Sequence, residues 1–231
     1  MHFLSATSQA MPETVYDELA AYRYSVFVER LGWELPSEPG YEQDQFDHAG
    51  TVHIVARHDA DDHVIGCGRL LPSTGRYLLE SVFPELLNGL PVPRDAKTWE
   101  LSRFAAMDVS PVPGAPIGRR DYLAERVLLE ALRYCVQRGV TTLLAVTTLP
   151  VERLMQRAGV DMHRLGPPIV SGGQPICGFV IRVNEQSLNA LAAFETLSKQ
   201  AAAGRNAVSE QVPFIPAAAA QADGAGMRAQ A

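Results

Sequence analysis

The nine residues VTTLLAVTT at 140–148 constrain this chain more than any other segment. A nearly continuous run of apolar and β-branched side chains, without alternation, reads as a strand covered on both faces. Such a strand needs packing layers on either side of its sheet, and the flanking sequence offers them. Residues 121–138 repeat Leu123, Val127, Leu128, Ala131, Leu132 and Cys135 at helical spacing and stop at Gly139. PVERLMQRAG (150–159) reads as a short helix with proline in its first turn and glycine at its end. PICGFVIRV (175–183) reads as a further strand, followed by a last helix that Asn184 caps. Upstream, Val15, Leu19, Tyr22 and Val26 mark an amphipathic helix over 12–30, and TVHIVAR and VIGCGRLLPS form a hairpin across the polar turn DADDH. YLLESVFPELL is a short helix that Pro84 interrupts or restarts, and KTWELSRFAAM (97–107) is strand-like. This order predicts a three-layer α/β/α arrangement around a mixed sheet.

Charge narrows the function classes. With 20 Lys+Arg against 26 Asp+Glu the formal net charge is −6, which argues against a basic nucleic-acid binder. No apolar run is long enough to span a membrane, and the amino end lacks a basic n-region and an apolar h-region, so the expected setting is the cytoplasm. Cys67, Cys135 and Cys177 are far apart, without CxxC or histidine spacing for zinc, and read as buried thiols; no metal is expected. From Gln200 the text becomes Ala-, Gly- and Gln-rich, so the expected boundary places one domain at 1–199 and a loose tail at 200–231.

Several residues do not fit a simple packing role. Arg23 lies along the buried stripe of the first helix, where it either snorkels to solvent or needs carboxylate partners. The acidic, irregular stretch 33–50 holds Asp44 and Asp47, which either cap local turns or supply those partners. Trp33 and Phe46 in the same stretch require it to fold back over something, and a lid over a pocket is the expectation. Arg69, Phe83 and the segment Trp99, Glu100, Arg103, Phe104 complete the set. In a strand Arg103 faces away from Glu100 unless a bulge intervenes.

Taken in order, R-x-x-x-F-x-x-x-x-x-W at Arg23, Phe27 and Trp33, D-x-x-D at Asp44 and Asp47, GCGRLLP at 66–72, FPELL at 83–87, WELSRF at 99–104 and AVTTxxVERxMxRAG at 145–159 resemble the LuxI-type acyl-homoserine lactone synthases, as does R-x-G-P at 164–167. The resemblance covers residues 10–190. It implies a GNAT-like acyltransferase fold with a mixed, mainly antiparallel sheet. It also implies a reaction in which the amine of S-adenosylmethionine, a substrate and not a cofactor, attacks an acyl thioester and the methionine moiety closes to a lactone, releasing methylthioadenosine. The product would be sensed by a LuxR-type receptor.

On that reading Glu100, flanked by bulky apolar residues, is the first choice for the base that removes a proton from the attacking amine. Asp44 and Asp47 pair with Arg23 and Arg69 to fix the lid, Phe27 and Trp33 pack on the cationic or adenine portions, and Arg103 belongs to the same network. Phe83 and Phe104 join the substrate-binding set. Leu144, Val146, Met155 and Phe179 are candidate acyl walls, and Thr147 is the position the family associates with oxygenated acyl groups. Acyl carrier protein is the expected donor: the stretch IGRRDYLAERVL lacks the glycine pair that cradles coenzyme A pyrophosphate, and Arg153 and Arg157, with Arg119, Arg120 and Arg164 as additions, offer a basic face to an acidic carrier. The competing readings are an N-acyltransferase that uses acyl-coenzyme A and another amine, and a catalytically silent ligand-binding domain on the same fold.

Overall fold

The computed structural model describes residues 1–109 and 122–210, the last ten as backbone. Arg119, Arg120 and the chain beyond 210 lie outside the described residues. In chain order the elements are β1 (His2–Thr7), α1 (Glu13–Arg23), a π-helical turn (Tyr24–Arg30), β2 (Val52–Arg57), β3 (Val64–Pro72), α2 (Leu78–Val82), a 3₁₀ turn (Pro84–Leu87), β4 (Thr98–Ala106), α3 (Leu123–Gln137), β5 (Thr142–Thr148), α4 (Leu149–Arg157), β6 (Met162–Arg164), β7 (Ile169–Ser171), β8 (Gln174–Arg182) and α5 (Glu185–Glu210). The strands form one sheet ordered β1-β2-β3-β4-β5-β8-β6, with β7 also on β8. Every pairing is antiparallel except β4 with β5, so the sheet is mixed and mainly antiparallel, as expected.

Strand β5 is covered on both faces. Leu143 and Ala145 enter a core built with Val127, Leu128, Ala131 and Leu132 of α3. Leu144 enters a second cluster with Phe46, Leu71, Tyr77, Leu79, Leu86 and Leu87, which Val146 flanks. A third cluster seats Leu19, Tyr22, Val26 and Phe27 of the first helix against Val55, Val64, Cys67 and Ala105. The long amphipathic helix α3 thus covers one face, and α1, the acidic stretch and α2 cover the other. Among the described residues no helix is long and apolar enough to cross a membrane.

Three features depart from the sequence expectation. β1, an edge strand paired with β2 along its whole length, occupies the amino end, for which the sequence reading gives no element; its side chains are only half-buried, so its apolar pattern is weak. The helix over 12–30 changes pitch at Tyr24 into a π-helical turn, a widening common at functional sites. The last helix continues past the expected boundary at 199, to Glu210.

The feature that positions the site lies in β4. The β3–β4 register runs Leu70 with Leu101 and Arg69 with Ser102, then resumes at Cys67 with Ala105, which leaves one extra residue on β4. Arg103 occupies the bulge with φ of 48°, a left-handed conformation that costs a non-glycine residue about 1–2 kcal/mol. On its other side β4 pairs with β5 only from Thr98–Thr142 to Leu101–Ala145, although both strands continue. Past Leu101 the two strands no longer pair, and the sheet ladder is interrupted there.

Candidate active site

Beside this interruption three arginines and three carboxylates form a closed lattice. Arg23, at the last turn of α1, donates from Nε to Glu42 (2.5 Å) and from both Nη atoms to the two oxygens of Asp47 (3.0 and 2.8 Å). Arg69 on β3 donates from Nη1 to Asp44 (2.6 Å) and Asp47 (3.0 Å) and from Nε to the Ser102 hydroxyl (3.0 Å). Arg103 donates from Nη2 to Glu42 (2.9 Å) and Asp44 (2.7 Å). Three positive and three negative charges balance, which is what a site from which water is excluded requires. Arg23, Glu42, Asp47 and Arg69 are all essentially buried. Burial alone would raise the Asp47 carboxyl, but Arg23 and Arg69 hold it well below the usual carboxylate range. The same pairing keeps Arg23 firmly charged against its own burial.

The two readings of the aspartates prove compatible. Asp44 accepts the Phe46 amide hydrogen (2.8 Å) and Asp47 that of Asp44 (2.9 Å), so each carboxylate shapes its turn while neutralising arginines. The Glu42 amide bonds to the Ala20 carbonyl (3.1 Å) and ties the stretch to α1. Aromatic rings complete the packing: Phe46 lies under Arg69 (5.5 Å), and Phe27, Trp33 and Arg103 form a stack, with the two rings 4.8 Å apart and 24° from parallel. The outer ring, Trp33, is 41% exposed.

Glu100 sits beside the lattice on the same face of β4 as Ser102 and is 1% exposed. Its two oxygens accept the amide hydrogens of Leu78 and Leu79 (2.7 and 2.6 Å) at the start of α2. Burial pushes its carboxyl up to about 7; the two amides pull the other way without cancelling it, and Arg69 and Asp44 are close enough to add opposing contributions. It is therefore half-ionised near neutral pH. Cys67 is fully buried, donates from Sγ to the Arg103 carbonyl (3.1 Å) and is raised by burial to about 12, which suits a packed thiol and not a nucleophile.

A family model described as autoinducer synthase matches residues 7–191. The chain belongs to the autoinducer synthase family. It is 41% identical over 184 residues, 79% of its own length and all of that protein, to the acyl-homoserine-lactone synthase of Acinetobacter nosocomialis. It is 42% identical over 183 residues to that of Ralstonia solanacearum, covering 78% of this chain and 88% of the relative. The crystal structure of TofI in a ternary complex with an inhibitor and MTA superimposes with a TM-score of 0.72 at 39% identity, covering 83% of this chain and 97% of TofI. This autoinducer synthase is thus an acyltransferase with the GNAT-like fold, and it joins an acyl donor to S-adenosylmethionine, a substrate and not a cofactor, to make an acyl-homoserine lactone.

Within this synthase the expected residues separate into groups. Arg23, Asp44, Asp47, Arg69 and Arg103 converge in the lattice, Phe27 and Trp33 stack at its edge, and Glu100 adjoins it. The bulge supplies the condition under which Arg103 shares a side with Glu100. Phe83 is half-buried against the cluster that holds Phe46 and Leu144. Phe104 packs toward α3, on the far face from the lattice. Thr147 is half-buried on β5, past the last β4–β5 pair and opposite Cys177. Arg153 and Arg157 are exposed on α4. Arg164, expected to extend that patch, instead clamps Glu152 with two bonds of 2.7 and 2.6 Å.

Glu42 was not legible as a site residue, yet it joins Arg23 to Arg103 and is 1% exposed. The signal was charge balance: three arginines near one lid need three acids, and YEQDQFD holds a third. Glu42→Gln leaves two buried guanidiniums short of a charge and is expected to lower unfolding free energy by about 3–5 kcal/mol in urea denaturation. The exposed Glu34→Gln is expected to change it by less than about 0.5 kcal/mol.

Proposed function

We propose that Glu100 is the general base of amide formation and that the neighbouring lattice and rings hold S-adenosylmethionine. The observation that carries this is a buried carboxylate of pKa about 7 beside a charge-balanced lattice, at the point where β4 and β5 part. The attacking amine arrives as an ammonium, and a base poised near neutral pH accepts its proton with the least loss on either side of the transfer. Each Glu100 oxygen keeps a lone pair beyond the one engaged by an amide hydrogen, so the proton has a place to go, directly or through one water. Because the lattice is neutral, ionised Glu100 leaves the site with one net negative charge, which complements the net positive charge of a substrate carrying sulfonium, ammonium and carboxylate.

Arg69 Nη2 is buried with no hydrogen-bond partner among the described residues. An unmet guanidinium donor in a closed site favours a carboxylate ligand, and we assign it the substrate carboxylate. The exposed ring of Trp33, backed by Phe27, suits the sulfonium or the adenine. Phe83 closes the site on the α2 side. Lactone closure then requires only that the carboxylate be held near the carbon bearing sulfur, a strong leaving group, so confinement is sufficient. TofI, a relative whose structure contains MTA, supports methylthioadenosine as the leaving product.

The acyl thioester enters where the strands stop pairing, since unpaired edges of β4 and β5 leave backbone groups free to hold an extended arm. Phe104, Thr147, Leu144, Val146, Met155 and Phe179 form the surrounding walls in this reading. We take the donor to be an acyl carrier protein docked on Arg153 and Arg157. Three unpaired thiols fit work in the reducing cytoplasm, and a LuxR-type receptor is the expected reader of the product.

Three measurements test these assignments. The base requires its ionised form, so kcat/KM is expected to fall as pH drops below about 7, and Glu100→Gln to lower kcat about 10²–10⁴-fold and abolish that limb. An unchanged pH profile in the variant would assign the proton elsewhere. For the donor, mass spectrometry of reactions with S-adenosylmethionine and paired acyl-carrier-protein and acyl-coenzyme A thioesters is expected to show acyl-homoserine lactone and methylthioadenosine in step with the carrier-bound acyl groups. Arg153→Glu with Arg157→Glu is expected to raise the KM for acyl carrier protein about tenfold and leave that for S-adenosylmethionine unchanged. Preference for coenzyme A, or equal effects on both substrates, would reject the carrier surface.

A further inference from the structure

The polar turn between β2 and β3 lies outside the lattice, and its residues have no part in the reaction described above. It nonetheless brings together His58, Asp61 and His63, whose ligand-capable atoms all lie within 4.8 Å of one another. Both imidazoles direct Nδ1 at the same oxygen, Asp61 Oδ1, from 3.0 Å (His58) and 2.6 Å (His63). Hairpin bonds between the backbones of His58 and His63 (2.9 Å) and of Asp62 and His58 (3.0 Å) fix the turn that carries them.

Two further contacts surround these nitrogens. His58 Nδ1 lies 3.3 Å from the Ala60 amide nitrogen as well as 3.0 Å from Asp61 Oδ1. His63 Nε2 lies 3.0 Å from Oδ1 of Asp108, just beyond the end of β4. A carboxylate on Nε2 is the support found behind metal-bound imidazoles, since it keeps the hydrogen on that nitrogen when Nδ1 ligates. Two imidazole nitrogens and one carboxylate oxygen thus converge on one point, with a second carboxylate behind one of the rings, an arrangement that a metal cation can occupy by displacing the ring hydrogens.

We propose that the β2–β3 turn binds a first-row divalent transition metal, zinc or a near neighbour, through His58 Nδ1, Asp61 Oδ1 and His63 Nδ1, with Asp108 as the supporting carboxylate. Two imidazoles and one carboxylate select this class over magnesium or calcium, which take all-oxygen sites. Tetrahedral bonds of about 2.0–2.1 Å place ligand atoms roughly 3.3 Å apart, so the two contacts with Asp61 lengthen by less than about 1 Å, while the stacked imidazole rings, 5.2 Å apart and 25° from parallel, rotate to turn both Nδ1 atoms on the ion. The side chains involved are 26–49% exposed and free to make that adjustment, with solvent at the remaining coordination position. Through Asp108 the ion couples the turn to the end of β4, next to Met107, whose amide and carbonyl both engage the Tyr22 hydroxyl of α1.

The test is isothermal titration of tag-free, EDTA-treated full chain with zinc chloride, paired with thermal unfolding in the presence and absence of zinc. One ion per chain is expected, with a zinc-dependent rise in the unfolding midpoint. His58→Ala and His63→Ala are each expected to weaken binding at least tenfold and remove that rise, and Asp108→Asn to weaken it about 10–100-fold. Equal unfolding midpoints of wild type and variants in EDTA show that the fold is intact, and Asp61→Asn, which keeps the shape of the turn, takes the place of any alanine variant that fails this check. No saturable binding, or one-ion binding unaltered in both histidine variants, would overturn the proposal.

Discussion

A lattice of three guanidiniums and three carboxylates cannot be buried in part. Remove one partner and the remaining charges lose compensation they cannot regain from water, so α1, the acidic stretch, β3 and β4 must be docked together or not at all. Arg23 comes from α1, Arg69 from β3, Arg103 from β4, and Glu42, Asp44 and Asp47 from one short segment of the lid. That segment has little regular structure of its own, and its shape follows from the charges it must meet. The rings of Phe27, Phe46 and Trp33 lie against the guanidinium faces and keep solvent from the pairs.

The lattice also explains why a strained residue persists in the middle of a strand. Without the bulge Arg103 would turn toward α3; with it, the residue reaches Glu42 and Asp44 at the cost of a left-handed backbone. The same irregularity coincides with the end of β4–β5 pairing. One extra residue thus places an arginine beside the point where the two strands stop pairing, next to Glu100. A carboxylate there is almost wholly buried, which is the environment that raises its pKa.

Much of this was readable from the residues. The two-faced strand 140–148 required three layers, and the amphipathic pattern of 121–138 identified one of them. Arg23 in an apolar stripe demanded acids, and the acidic stretch with its aromatics supplied them. What escaped has physical reasons. β1 is an edge strand with a half-buried face, so its pattern is weak. The π-helical turn repeats too few residues to shift a period visibly. Glu42 resembles any lid acid until the arginines it serves are counted, and the displacement of Phe104 to the far face follows from a bulge that spacing alone does not fix. Arg164 read as a free basic group because its partner, Glu152, is twelve residues away on a different element.

The account rests on Glu100 being held near half-ionisation by its burial. Carbon-13 NMR titration of the glutamate side-chain carboxyls, with Glu100→Gln for assignment, measures this directly. One resonance with a midpoint near pH 7 that is absent from the variant is the predicted result. If the Glu100 resonance titrates with the exposed glutamates, near their ordinary value of about 4.3, the site does not tune its base and the account is wrong.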